Sequence, residues 1–116
     1  MKKLVFLVVM LGIANVQADT VFYKTEILRT SQSPGANGGC IARLEIGPAT
    51  QGLLDCNDKF VSFDCDGGFG SKSEGQALFN AAQASMFVST GDPSILVTDS
   101  HKYGTICVAK QIDVRP

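Results

Sequence analysis

Apolar and polar residues alternate in short runs along most of this chain and adopt helical spacing only once. Thr20 to Thr30 (TVFYKTEILRT) is rich in β-branched and aromatic residues and predicts a first strand. Its alternation is imperfect, because Phe22 and Ile27 share a face only if a bulge intervenes. Cys40 to Gly47 (CIARLEIG) alternates cleanly: Cys40, Ala42, Leu44 and Ile46 fall on one side, Ile41, Arg43 and Glu45 on the other. Phe60 to Cys65 (FVSFDC) predicts a third strand. Ser94 to Thr98 (SILVT) and Thr105 to Val114 (TICVAKQIDV) predict two more. Between them lie loops by composition: Ser31 to Gly39, Pro48 to Lys59, and a polar turn over Asp99 to Gly104.

The helical stretch follows Cys65. Ser71-Lys72-Ser73-Glu74 has the capping-box form, in which a serine hydroxyl accepts from the third amide of the helix. Good helix formers follow, and at helical spacing Leu78, Phe79, Ala82 and Met86 share one face. Ala77, Ala81 and Ala84 form a second, shallow face. Phe87 stands off the main stripe and is the candidate contact to a second copy. Gly91 and Pro93 predict the stop. Three strands, a helix and two strands predict a mainly β fold with one helix, in the element order of the OB-fold, a small, partly open barrel. An antiparallel α+β sandwich is the alternative.

The chain has 116 residues and opens with Met1-Lys2-Lys3, an apolar run from Leu4 to Ile13, and Val16-Gln17-Ala18. A basic start, a short apolar core and small residues at the end predict a signal peptide over 1–18. That leaves one domain over 19–116, exported to the periplasm or beyond. The apolar run is too short for an ordinary membrane span. Of the 10 Lys and Arg residues, Lys2 and Lys3 fall in the leader, so 19–116 is net acidic against 11 Asp and Glu. Such a surface argues against a nucleic-acid partner. Four cysteines in an exported chain predict two disulfides. A hairpin register with Cys40 opposite Cys65, Ala42 opposite Phe63 and Leu44 opposite Val61 favours Cys40–Cys65 and Cys56–Cys107. Three pairings are open on sequence alone.

Two resemblances bear on this order. Gln76-Ala77-Leu78 followed by Ser89-Thr90-Gly91-Asp92-Pro93-Ser94-Ile95 resembles the helix-to-strand passage in B subunits of subtilase-cytotoxin and typhoid-toxin type. Those subunits also carry a cysteine on each of the two strands before the helix, as Cys40 and Cys65 would be here. The resemblance implies a secreted OB-fold protein that assembles into rings and binds host glycans. The Pro48 to Lys59 connection is longer than theirs, and no sugar-contacting residue carries over. Cys56 to Gly67 (CNDKFVSFDCDG) and Lys102 to Val114 (KYGTICVAKQIDV) are similar to small exported proteins of marine Gram-negative bacteria. That similarity implies export and no particular activity.

Few residues suggest chemistry. Asp55, Asp58, Asp64 and Asp66 cluster in sequence but lack the spacing of a calcium loop, and read as solvated turn acids. Gly67 to Ser73 (GGFGSKS) lacks phosphate-loop spacing. Ser71 and Lys72 at the helix start are a candidate anion site, with Glu74 competing for the same amides. His101 is the lone histidine; a small hydrolase would need it paired with Lys102 or Glu45. No zinc spacing is present, so neither a metal nor a cofactor is expected. On an OB-like barrel, ligands meet the second and third strands and the loops after the first and fourth. The candidate ligand residues are therefore Asn37, Arg43, His101, Lys102 and Tyr103. The expected function is a non-enzymatic binding module for a glycan or other surface molecule, the glycan being what the resemblance to toxin B subunits implies. The alternatives are a protein-binding partner or inhibitor and, behind it, a small hydrolase.

Overall fold

The computed structural model describes residues 19–87 and 91–114; the expected signal peptide over 1–18 lies outside them. Six strands form one sheet: β1 (Thr20–Lys24), β2 (Ile27–Gln32), β3 (Cys40–Leu44), β4 (Phe60–Ser62), β5 (Ser94–Tyr103) and β6 (Ile106–Asp113). Their order across the sheet is β1-β5-β6-β4-β3-β2. Every pairing is antiparallel except β4 with β6, which meet in parallel at Ser62 and Val108. The fold is thus mainly β with one helix, and the strands make a six-stranded sheet, not a closed barrel.

The expected first strand is broken into β1 and β2, and these are the two edges of the sheet. Thr25 and Glu26 join them. The Thr25 amide donates to the Pro93 carbonyl (3.0 Å) beside β5, whereas the Glu26 carbonyl accepts from the Glu45 amide (2.9 Å) beyond β3. Thr25 is buried, and its Oγ1 accepts from the Ile46 amide at 2.9 Å. Val21, Tyr23, Thr25 and Ile27 point inward in strict alternation, which leaves Phe22 53% exposed. The bulge falls later, at Leu28, where the β2–β3 register shifts between Ile27 and Arg29.

The β3–β4 hairpin is slipped by two residues from the expected register. Ala42 faces Val61 and Arg43 faces Phe60. An even slip keeps every side chain on its face. Cys40 and Cys65 still meet, because Asp64 takes a left-handed conformation (φ 62°) that turns the chain back after Phe63. The disulfides are Cys40–Cys65 and Cys56–Cys107. The second ties the Pro48–Lys59 connection to β6. The polar turn expected over Asp99 to Gly104 is mostly strand. β5 runs to Tyr103, with a register irregularity between Thr98 and Lys102, and Gly104 (φ 66°) makes the turn.

Helix α1 (Lys72–Ser85) starts where its capping box predicts, with the Ser71 hydroxyl accepting from the Glu74 amide at 3.1 Å. It ends at Ser85, before Gly91, with the Met86 and Phe87 amides turned back to the Gln83 and Ala84 carbonyls. Its buried face is Gly75, Phe79, Ala82 and Ser85, rotated from the expected one, so Met86 is exposed and Leu78 half-buried. Gly75 is the reason. A Cβ there would overlap the carbonyl oxygens of Phe63 and Asp64, so the glycine lets the helix rest directly on that backbone. Phe79 then packs on Phe63 with ring centroids 6.2 Å apart. Around these two rings Leu44, Val61, Ile95, Val97 and the Cys56–Cys107 disulfide close the core.

Candidate functional site

Two loops singled out by sequence meet at one end of the sheet. The first is the 33–39 loop between β2 and β3. It closes on itself through Ser33 N–H to Gly39 O (2.8 Å) and Ala36 N–H to Ser33 O (3.0 Å). Three successive left-handed residues, Asn37, Gly38 and Gly39, make its tight turn. The second is the end of β5 with His101 and Tyr103. Gly38 lies against the Tyr103 ring and the Ser62 hydroxyl so closely that any side chain there would overlap both.

Tyr103 is held from behind. Its hydroxyl donates to Asp64 Oδ1, which also accepts from the Gly68 amide (2.9 Å), while Oδ2 accepts from the Phe69 amide (3.0 Å). Asp64 is only 4% exposed, so its carboxylate is an internal anchor for the Gly67–Gly70 turn. Asp66 plays the same part for the 33–39 loop, accepting from the Gly35 amide (2.9 Å) and donating its own amide to the Gly38 carbonyl (2.8 Å). The clustered acids therefore include two that hold turns. Among the described residues no group of three or more His, Cys, Asp or Glu is placed to hold a metal. Burial, followed by the hydrogen bond and charge of Asp64, pushes the Tyr103 phenol up to about 12. Burial also pushes Tyr23 upward; its hydroxyl donates to the Ile46 carbonyl at 2.9 Å.

His101 stacks flat on Phe69, with centroids 4.7 Å apart and planes 8° apart, and Phe69 meets Tyr103 edge-on at 5.1 Å. His101 Nδ1 is buried without a hydrogen-bond partner. An imidazole packed this way is part of an aromatic cluster, and neither Lys102 nor Glu45 is hydrogen-bonded to it. Lys102 pairs with Cys107 across β5 and β6, on the opposite face from His101 and Tyr103. Arg43 stands on the outward face of β3 between Phe60 on β4 and Arg29 on β2. Asn37, His101 and Tyr103 are thus gathered at one end, Arg43 lies along the adjoining face, and Lys102 points elsewhere.

A pocket of about 250 Å³ opens on that outward face. Ser31, Ser33, Ala36, Asn37, Cys40 and Ile41 line it. Its floor is the cross-strand pair Ser31–Ile41 and its wall the 33–39 loop. The sequence marks the loop from Ser33 to Asn37 but not Ser31, whose approach depends on how that loop closes.

A larger groove of about 510 Å³ runs between α1 and β6. Ala77, Leu78 and Ala81 form its helical side, with Ile112 and Lys110 opposite and Ser71 and Glu74 at one end. The shallow alanine face of the helix therefore borders open space. Lys72 does not line the groove; its aliphatic stem packs against Gly67. The helix-start anion site is left with Ser71, whose hydroxyl already accepts from the Glu74 amide. Among the described residues no helix is long and apolar enough to cross a membrane. Comparison with protein-family models, curated proteins and solved structures finds no match to this chain.

Proposed function

We propose that this chain is an exported, non-enzymatic binding module of OB-like design that takes a glycan at the pocket between β2, β3 and the 33–39 loop. One observation carries the reading. The pocket combines two hydroxyls and a carboxamide, from Ser31, Ser33 and Asn37, with the apolar Ile41 side chain. Hydroxyls and amides that both donate and accept, set around a small apolar surface, suit a sugar ring with its polar rim and C–H face. The OB-like part rests on the two sheet edges being halves of one extended segment, broken only at Thr25–Glu26. Two disulfides and the leader-like 1–18 segment support export.

A glycan array probed with the purified, oxidised protein tests the reading. Binding to a defined saccharide, lost in Ser33→Ala and Asn37→Asp while the unfolding midpoint holds, is the expected result. A blank array together with a failure of both variants to change any retained ligand sinks it.

A second contact is favoured by the end of α1. Phe87 is 87% exposed with Met86 also exposed beside it, and an apolar side chain so placed suits burial against another copy. Phe87→Asp should leave a folded monomer where the parent sediments as an oligomer. A monomeric parent ends that part of the proposal.

A further inference from the structure

Arg29 and Arg43 are direct cross-strand partners on β2 and β3. Two like charges opposite each other on one sheet face weaken the pairing unless something offsets them. Among the described residues neither guanidinium has a hydrogen-bond or ion-pair partner. A local irregularity creates this arrangement. The inward residues from Val21 to Ile27 fall at every second position, and continued alternation would turn Arg29 into the core. The Leu28 bulge shifts the phase by one and aims Arg29 outward, opposite Arg43.

That pair stands one row beyond the pocket. The pocket floor is Ser31–Ile41, and Arg29 and Arg43 lie two residues along each strand on the same face. Residues two apart on a strand are separated by about 7 Å, far enough that an acidic group there belongs to the sugar residue next to the ring in the pocket. We infer that Arg29 and Arg43 form an anion subsite, and that the ligand is an acidic saccharide whose carboxylate or sulfate they hold. Paired guanidinium groups present parallel N–H donors that match either oxyanion, and a bound anion would relieve their mutual repulsion. Phe60, half-buried on the far side of Arg43, gives the subsite an apolar border.

This inference rests on the pocket being a glycan site, and the test separates the two. Isothermal titration of the full oxidised protein would use three probes: a heparin-derived tetrasaccharide for sulfate, an oligogalacturonate for carboxylate, and maltotetraose as the neutral control. At least one acidic probe should bind about tenfold or more tighter than the neutral one and weaken as salt rises. Arg43→Gln and Arg29→Gln should each remove most of that preference, with Arg43→Lys keeping part of it. Their unfolding midpoints should stay at or above the parent's, because a repulsion is relieved. Equal binding of acidic and neutral probes overturns the anion subsite and leaves the glycan site standing. Acidic binding that survives in the double variant likewise overturns it. Absence of binding to all three overturns it, and the glycan site itself then falls if the array is also blank. A marked drop in midpoint for both single variants would give the arginines a structural role instead.

Discussion

Tyr103→Phe removes one oxygen and leaves the ring packing against Gly38 and Phe69 in place. The lost group is the donor to Asp64 Oδ1. A hydrogen bond to a charged acceptor contributes about 1.5–3 kcal/mol, against roughly 1 kcal/mol for a neutral pair. Two facts set where in that range the loss falls. Asp64 is nearly inaccessible to water, which pushes the cost up. It keeps the Gly68 and Phe69 amides, so its charge is not stranded, which holds the cost below that of an unpaired buried carboxylate. A loss of about 2 kcal/mol follows, or roughly 8–16 °C in midpoint for a domain of this size. Thermal unfolding followed by circular dichroism at neutral pH measures it. The background variant Asp64→Asn keeps a residue that tolerates the left-handed backbone and an oxygen acceptor but removes the charge. In that background the same substitution should cost about 1 kcal/mol less. An unchanged midpoint in Tyr103→Phe, or an equal loss in both backgrounds, would refute the view that Asp64 and Tyr103 anchor this end of the sheet.

Other consequences are open to measurement. The Tyr103 phenol is raised from its ordinary 10 to about 12 in the folded chain, so its contribution is complete below pH 10 and is lost as pH rises through 12. The stability gap between parent and Tyr103→Phe should therefore shrink across that window, and a constant gap would contradict the assignment; Tyr23 titrates alike in both proteins and cancels. Cys56→Ser/Cys107→Ser opens a link spanning 51 residues, for which chain entropy gives about 4 kcal/mol, somewhat more than for the link spanning 25. Denaturant unfolding should rank the two losses in that order. Gly75→Ala gains about 1 kcal/mol of helix propensity, yet its Cβ would overlap backbone oxygens that cannot swing aside. The overlap should win, with a net loss of about 1–3 kcal/mol and a weakened contact between α1 and the Phe63–Asp64 backbone; a stabilised variant would mean the helix rides higher than described.

Local signals were the legible ones. The capping box at Ser71–Glu74 and the alternation from Cys40 to Leu44 each depend on a few neighbouring residues, and both elements start where those residues say. The hairpin reached the correct faces and the correct disulfide through a register wrong by two, because alternation specifies a face more strongly than a partner. What could not be read depends on distant or sub-residue events. Asp64 meets Tyr103 across 39 residues of sequence. The break at Thr25 leaves alternation intact, so no pattern marks it. Arg29 is the clearest case: its outward aim follows from the Leu28 bulge, and regular counting puts it in the core. Arg43, on the undisturbed strand β3, was visible as a candidate, whereas its partner was hidden one bulge away.

The most direct test of the central claim is an amide-resolved NMR titration of the ¹⁵N-labelled protein with the saccharide that binds best. The account predicts shifts centred on Ser31, Ser33, Asn37 and Ile41, spreading to Arg29 and Arg43, with the α1–β6 groove around Ala77 and Ile112 unaffected. Shifts confined to that groove, or none at saturating ligand, would contradict it.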